Sequence, residues 1–348
     1  MGDAPPQEHL LVVLPFPELV KQLEDIRDKF PRFRVTYFEQ KSHLAIDADI
    51  PKEVLASTTI LCTLFYSPVL EEMPNLKLVQ LISAGLDRYL DQPLVTESDI
   101  NITNVSGIHG PPISEWVVMN WLVASRLYDK TAQWQREHTW PVARNLIDAM
   151  EDNVVARVAV AMGMSVLAYT FSPRTTPESR KDNGYIIPNT GDPDGTFPIS
   201  WHSGADKASL HSFLSQNLDH LLISVPLTPS TTHFIGAEEM TLLSKSCKST
   251  IRRPYLTNIS RGKVIDQSAL IESLKSGELS GAAIDVADPE PLPSEHPLWD
   301  APNLQISPHV SSLGIEYMDR TFDVLKTNLG RLERGEELVN LYRRKKGY

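Results

Sequence analysis

Cysteine is almost missing from this chain, with only Cys62 and Cys247 among 348 residues. Two isolated thiols beside apolar or small neighbours build no disulfide framework, and they fit a reducing compartment. Extended basic faces are missing too. The one cluster, Arg343-Arg344-Lys345-Lys346, reads as a solvated end, and a net charge of -11 argues against a nucleic-acid surface. No apolar run approaches the ~20 residues that a membrane helix needs. Met1-Gly2-Asp3-Ala4-Pro5-Pro6 has neither the basic region nor the apolar run of a secretory leader. No cluster of histidine, cysteine and acidic residues shows metal-ligand spacing. The expectation is a cytoplasmic protein without a metal centre and without nucleic-acid or membrane partners.

What the chain has is apolar material in alternating units. At 41% hydrophobic residues it has room for two domains with separate cores. Leu10 to Leu14 is a continuous apolar run closed by Pro15 and Pro17, the pattern of a strand buried on both faces. Glu18 to Lys29 is helix-like, and Val35–Phe38, Ile60–Leu64 and Leu78–Ile82 read as further strands. Ile113 to Tyr128 reads as a long apolar helix, followed by Trp134 and Trp140, suited to packing between domains or subunits.

A second series runs through Val166–Tyr169, Leu221–Val225, Tyr255–Ile259, Ala282–Val286 and Leu304–Ser307, before an amphipathic helix over Ile315–Glu333. Strands alternating with helices predict an α/β fold of two Rossmann- or flavodoxin-like domains with parallel sheets. Arg174 to Gly204 is rich in Pro, Gly, Asp, Asn and Ser, and reads as an irregular surface insertion.

Three of these strands end in charge. The first runs into Asn258-Ile259-Ser260-Arg261-Gly262, the second into Asp288-Pro289-Glu290-Pro291, and the third into Pro308-His309. Open parallel sheets bind ligands outside the carboxyl ends of their strands, so Arg261, Glu290 and His309 are expected to converge on one site. Arginine holds a carboxylate through two parallel hydrogen bonds. Histidine moves a proton near neutral pH, and a neighbouring carboxylate favours its charged form. That equipment suits redox chemistry on a small 2-oxo or 2-hydroxy acid.

With these segments in hand, the chain resembles the D-isomer-specific 2-hydroxyacid dehydrogenase family, particularly its fungal members, over nearly its whole length. Ser83-Ala84-Gly85-Leu86-Asp87 looks like the family's loop whose amides bind the substrate carboxylate. Asn104 to Gly107, running on to Ser114-Glu115, looks like the entry to the interdomain helix. The three strand ends resemble the segments carrying the family's catalytic arginine, glutamate and histidine. The resemblance implies that Arg261 binds substrate, that His309 protonates the carbonyl oxygen, and that Glu290 supports His309. It implies a substrate domain over 1–112 plus 312–348, a dinucleotide domain over 113–311, and a homodimer. Asp285 is expected to face the nicotinamide, with Ser172, Arg174, Pro226 and Thr232 among the cofactor contacts.

One family feature has no counterpart. No G-x-G-x-x-G occurs, and there is no glycine from Arg144 to Met162. On the order of fifteen residues, a strand and its turn, are expected to be absent. Losing about three charge-assisted hydrogen bonds to the pyrophosphate weakens cofactor binding by roughly 10³-fold. Leu146–Met150 is the nearby candidate to replace the strand, and Cys247–Arg253 is a second unusual, polar insert. After the strand at Ala168-Tyr169-Thr170 comes Phe171-Ser172-Pro173-Arg174, with no acid to hold a ribose diol. That favours NADP over NAD, the alternative being that Arg174 simply opens the insertion. Two functions fit these residues: an NAD(P)-dependent 2-oxo acid reductase, or an inactive relic kept for interaction.

Overall fold

The computed structural model describes residues 8–40, 49–125, 128–130, 133, 159–160, 163–187, 190–248, 253–312 and 316–344. Trp134, Trp140, the Leu146–Met150 candidate and most of the Lys248–Arg253 insert lie outside them. The first elements are β1 (His9–Leu14), α1 (Val20–Lys29), β2 (Arg34–Glu39), α2 (Lys52–Ser57), β3 (Ile60–Thr63), β4 (Leu78–Leu81), α3 (Pro93–Thr96), β5 (Asn101–Thr103) and α4 (Gly110–Ser125). Next come β6 (Leu167–Thr170), α5 (Pro177–Arg180), β7 (Ser200–Ser203), α6 (Lys207–Leu214), β8 (His220–Ile223), α7 (Ala237–Ser246) and β9 (Tyr255–Asn258). The series closes with α8 (Gln267–Ser276), β10 (Gly281–Ile284), β11 (Leu304–Ile306) and α9 (Tyr317–Arg334).

The chain divides into two compact units. One comprises Met1–Ile108, Gly184–Pro188 and Gly314–Tyr348; the other comprises His109–Asn183 and Asn189–Leu313. The first is built on a parallel five-stranded sheet in the order β2-β1-β3-β4-β5. Every residue of β1 is buried, as its unbroken apolar text requires. Leu23 and Ile26 of α1 join Phe322, Leu325 and Leu329 of α9 over one face, and Val54 and Leu55 of α2 cover the other. Gln80 anchors a polar network inside this core. Thr103 and Asn328 both donate to Oε1 of Gln80, at 2.8 and 3.0 Å, and Asn328 also bonds the backbone of Val339.

The second unit carries a parallel four-stranded sheet in the order β11-β10-β9-β8, and a separate parallel pair, β6-β7. Helices α6, α7 and α8 pack one apolar cluster against these strands. On the other face α4 lays Val117 and Trp121 against Tyr255 and Ala283, and the Trp121 indole donates to Thr257 at 2.9 Å. Between α6 and α7 the buried Glu239 accepts from Lys207 at 2.6 Å, His211 at 2.8 Å and the Gly236 amide at 2.9 Å. Burial alone would raise its pKa, but these donors outweigh it and hold the carboxyl down to about 2. Glu238 lies near enough to complete a metal-like trio, yet the ammonium of Lys207 already sits on the oxygen that an ion would need.

Two elements differ from the sequence reading. β5 is a strand of three residues, Asn101–Thr103, with too little periodic text to read. β7 lies at the end of the stretch read as irregular insertion. Its residues Ser200-Trp201-His202-Ser203 alternate without an apolar face, and pairing with β6 rather than core burial fixes it.

Candidate active site

β9 is buried end to end and stops at Asn258, whose side chain shapes the turn that carries Arg261. The Asn258 Oδ1 accepts from the Ser260 amide at 3.0 Å and its hydroxyl at 2.7 Å, while Nδ2 donates to the Arg261 carbonyl at 3.0 Å. This Asx-type turn fixes the backbone beneath the guanidinium. The next residue has to be glycine for lack of space. A Cβ on Gly262 would lie 2.0 Å from the Ala287 carbonyl carbon and 2.5 Å from the Asp288 nitrogen. The Arg261 turn therefore presses directly on the loop holding Glu290. Gly262→Ala is expected to force the two apart and cost roughly 1–3 kcal/mol; an unchanged urea midpoint and unchanged turnover would contradict this contact.

Gln267, at the start of α8, clamps the same loop. Its amide donates to the Asp288 carbonyl at 2.6 Å and accepts from the Asp288 N–H at 3.0 Å. Glu290 turns back so that one oxygen accepts from the Ala287 amide at 2.9 Å and the other meets Nδ1 of His309 at 2.9 Å. With Nδ1–H directed at the carboxylate, Nε2 is the ring atom left to exchange a proton.

The electrostatics agree. The Glu290 hydrogen bond holds the His309 imidazole above its ordinary pKa, against desolvation and the Arg261 charge, which pull it down. Desolvation pushes Glu290 up, but the bonds from His309 and Ala287, with help from Arg261, leave it below the usual carboxylate range.

Asp285, directly after β10, completes the arrangement. Its buried carboxylate accepts from the Ser307 hydroxyl at 2.5 Å and from the Val310 and Ser311 amides, each at 2.9 Å. His309 itself has φ +57, a left-handed value uncommon outside glycine. Its N–H is pinned to the Asp285 carbonyl at 2.8 Å. Asp285 thus holds the loop that presents the histidine. Gln267 and Ser307 perform work that the sequence reading did not assign.

The remaining expected contacts are spread among strand ends. In the second unit, Ser172 accepts from Thr170 through its carbonyl, and Arg174 is engaged with its own insertion, Nη1 donating to the Ser179 carbonyl at 2.5 Å. Pro226 and Thr232 belong to the turn after β8, where Thr232 donates to the Thr228 carbonyl at 3.1 Å and Thr231 to that of Pro226 at 2.8 Å. In the first unit, Ser83, Ala84 and Gly85 form the loop after β4, with the Ser83 hydroxyl on the Gly85 carbonyl at 2.8 Å.

Residues 196–311 match the family model for the NAD binding domain of D-isomer specific 2-hydroxyacid dehydrogenases. A glyoxylate reductase of Thermofilum pendens is 26% identical over 336 residues, covering 96% of this chain and 93% of that protein. Another, from Korarchaeum cryptofilum, is 27% identical over 290 residues, or 83% of each chain. Residues 196–311 thus resemble the NAD binding domain of that family, and the similarity to the two reductases runs over most of the chain. The fold agrees with that of an NADPH-dependent glyoxylate/hydroxypyruvate reductase of Sinorhizobium meliloti solved with NADP and sulfate. That structure has a TM-score of 0.72 at 23% identity and covers 98% of this chain and 100% of its own. A Xanthobacter autotrophicus Py2 dehydrogenase solved with NADPH and MES gives 0.71 at 22%, covering 97% of this chain and 99% of its own.

The ends of β9, β10 and β11 gather Arg261, Asp285, Glu290 and His309 into one polar cluster. Among the described residues no glycine-rich turn enters a helix beside β6 or β8. Gly163 has φ +89, but nothing lies within 4 Å of where its Cβ would be, so no close backbone approach is made there.

Proposed function

We propose that this chain reduces small 2-oxo acids to 2-hydroxy acids with NAD(P)H, the observation that carries it being the Glu290–His309 pair beside Arg261. Arg261 binds the substrate's carboxylate and carbonyl oxygen, and the amides of the Ser83–Gly85 loop take the carboxylate. No acceptor meets the Ala84 and Gly85 N–H groups among the described residues, which supports that role. A bound nicotinamide supplies the hydride. His309 gives its Nε2 proton to the carbonyl oxygen as charge builds there, and Glu290 keeps the ring protonated and oriented. The glyoxylate reductases among the relatives favour a substrate of two or three carbons. NADP is preferred because hydroxyls and an arginine, rather than an acid, come after β6.

The unit ending in α9 is assigned to substrate binding and the other to the dinucleotide. A homodimer through α4 is supported by the exposure of Met119 and Leu122 on an otherwise apolar helix. A cytoplasmic setting rests on Cys62 and Cys247, both buried and in no disulfide; no helix of the described residues is long and apolar enough to cross a membrane. The fungal affinity rests on the motif resemblance alone.

A second reading has its own observation. Among the described residues the second unit's strands fall into two sheets, the arrangement expected of a chain without the first strand and glycine turn. That favours a relic acting through interaction. A fluorescence titration with NADPH separates the two. Saturation at micromolar levels supports the reductase, and no binding at millimolar levels supports the relic.

The pair also sets a pH dependence. Reduction needs His309 protonated, so kcat/KM falls as pH rises through its raised pKa. Glu290→Gln removes the main cause of that elevation, and the fall is expected at lower pH. A pH–rate profile checks this; superimposable profiles would take Glu290 out of the mechanism.

A further inference from the structure

Glu290 lies in a loop with few backbone donors of its own. Between β10 and the 3-10 turn Pro297–Asp300 the chain reads Ala287-Asp288-Pro289-Glu290-Pro291-Leu292-Pro293-Ser294-Glu295-His296. Pro289, Pro291 and Pro293 have no N–H to donate, so side chains have to fix the course of the loop. Gln267 fixes its leading end, bonding both the N–H and the carbonyl of Asp288. Trp299 fixes its trailing end. The indole N–H donates to the Pro293 carbonyl at 2.9 Å, and the His296 amide reaches the same oxygen at 3.1 Å.

Packing does not account for this tryptophan. Its neighbour Leu298 is fully buried and anchors the turn in the core, whereas Trp299 is 50% exposed. Tryptophan joins an apolar body to a single polar atom, and here the polar atom is the part with a fixed partner. The turn beneath it is bonded as well. The Trp299 amide donates to the His296 carbonyl at 3.1 Å, and Nδ1 of His296 accepts from the Leu298 amide at 3.2 Å. Glu290 stands between the two tethers.

We propose that Trp299 is a positioning residue for the acid–base pair, its bond to Pro293 keeping the Glu290 carboxylate against Nδ1 of His309. The role rests on the reading of His309 as proton donor. Glu290, Arg261 and Asp285 are the charged groups that act on the imidazole, and of these only Glu290 belongs to the tethered loop.

The test is the titration of the His309 ring, followed by proton NMR on the full chain. It needs no turnover, so it can fail apart from the reductase reading. Trp299→Phe keeps an aromatic ring at a half-exposed position and removes the donor. His309 is expected to lose its proton at lower pH than in the parent, with Trp299→Phe lying between the parent and Glu290→Gln. In the Glu290→Gln background Trp299→Phe is expected to add nothing, because the tether acts through the carboxylate. In reduction of a 2-oxo acid above that titration, kcat/KM of Trp299→Phe should fall about threefold, the scale of one ordinary hydrogen bond. In the parent, the Trp299 indole N–H should exchange with solvent about threefold or more slowly than a free indole, on the same scale. An unmoved His309 titration overturns the proposal. So does an equal shift in both backgrounds, or a parent indole that exchanges as a free one does. A shifted titration in a chain that reduces no 2-oxo acid upholds the tether and removes the reductase reading instead.

Discussion

Exchange of His309 for Gln is expected to lower turnover of a 2-oxo acid by 10²- to 10⁴-fold while leaving NADPH affinity where it was. The range is that of a general acid lost from a transition state, about 3–5 kcal/mol of barrier. Glutamine retains a side-chain N–H able to reach Glu290, so the loop and its partner at 2.9 Å need not rearrange. It has no proton that it can release near neutral pH. Binding of the dinucleotide does not use this proton, so the two readouts should part. The variant must be compared in the direction of reduction, below the raised pKa of His309, where the parent carries the imidazolium. Unchanged turnover would remove His309 from the chemistry, whatever its geometry. Equal loss of cofactor affinity would mean that the substitution had damaged the fold around β11 instead.

The chemistry-bearing half of this arrangement was readable because strand ends dictate it. Tyr255–Asn258, Gly281–Ile284 and Leu304–Ile306 are short strands, and each is followed within about six residues by its charged residue. The position of a side chain after a parallel strand is nearly fixed by the sheet, so order along the chain becomes proximity in space. The β1 run was legible for the same reason, being buried on both faces.

The features that escaped are held by polar contacts. β7 has no apolar alternation and exists because β6 offers it an edge. Gln267 reads as an ordinary first-turn helix residue, and nothing in its neighbours announces that it clamps Asp288. Arg174 reads as an anion site, but its guanidinium spends at least one hydrogen bond on the Ser179 carbonyl. Side chain–backbone bonds of this kind carry no periodicity, so a sequence discloses them only where a short turn pattern such as Asn-x-Ser stands out.

The division between the two sheets of the second unit also separates what is robust from what is not. Arg261, Glu290 and His309 all sit on the four-stranded sheet, whose ladders run unbroken from β8 to β11. The groups expected to select the dinucleotide, Ser172 and Arg174, come after β6 of the separate pair. A chain of this construction can keep its acid–base geometry and still bind cofactor weakly. This is why the NADPH titration and the turnover assay have to be done as a pair, and why neither stands in for the other.

Asp285→Ala is expected to be the most damaging single change near the site outside the trio of Arg261, Glu290 and His309. The carboxylate is 1% exposed and accepts three hydrogen bonds, from the Ser307 hydroxyl and the Val310 and Ser311 amides. Alanine leaves all three donors without that acceptor, at about 1–3 kcal/mol each where water cannot reach. Removing a buried charge returns part of this, so a net loss of roughly 2–4 kcal/mol is reasonable, a large share of a domain's 5–15.

The effect on catalysis should exceed what unfolding explains. The Asp285 carboxylate grips the loop on both sides of His309, at the Ser307 hydroxyl and at the Val310 and Ser311 amides, and so supports its φ of +57. A released loop can relax toward ordinary backbone values and carry the imidazole away from Glu290. Misplacement by about 1 Å costs on the order of 10²-fold in rate. Measured well below the unfolding transition, kcat should therefore fall while NADPH affinity holds, and the high-pH limb of the profile should move down as the Glu290 bond weakens. Asp285→Asn keeps the shape and one acceptor but turns an NH₂ toward an amide, so it is expected to lie between parent and alanine. An alanine variant with the parent's kcat and the parent's pH profile would show that the histidine loop stands without Asp285.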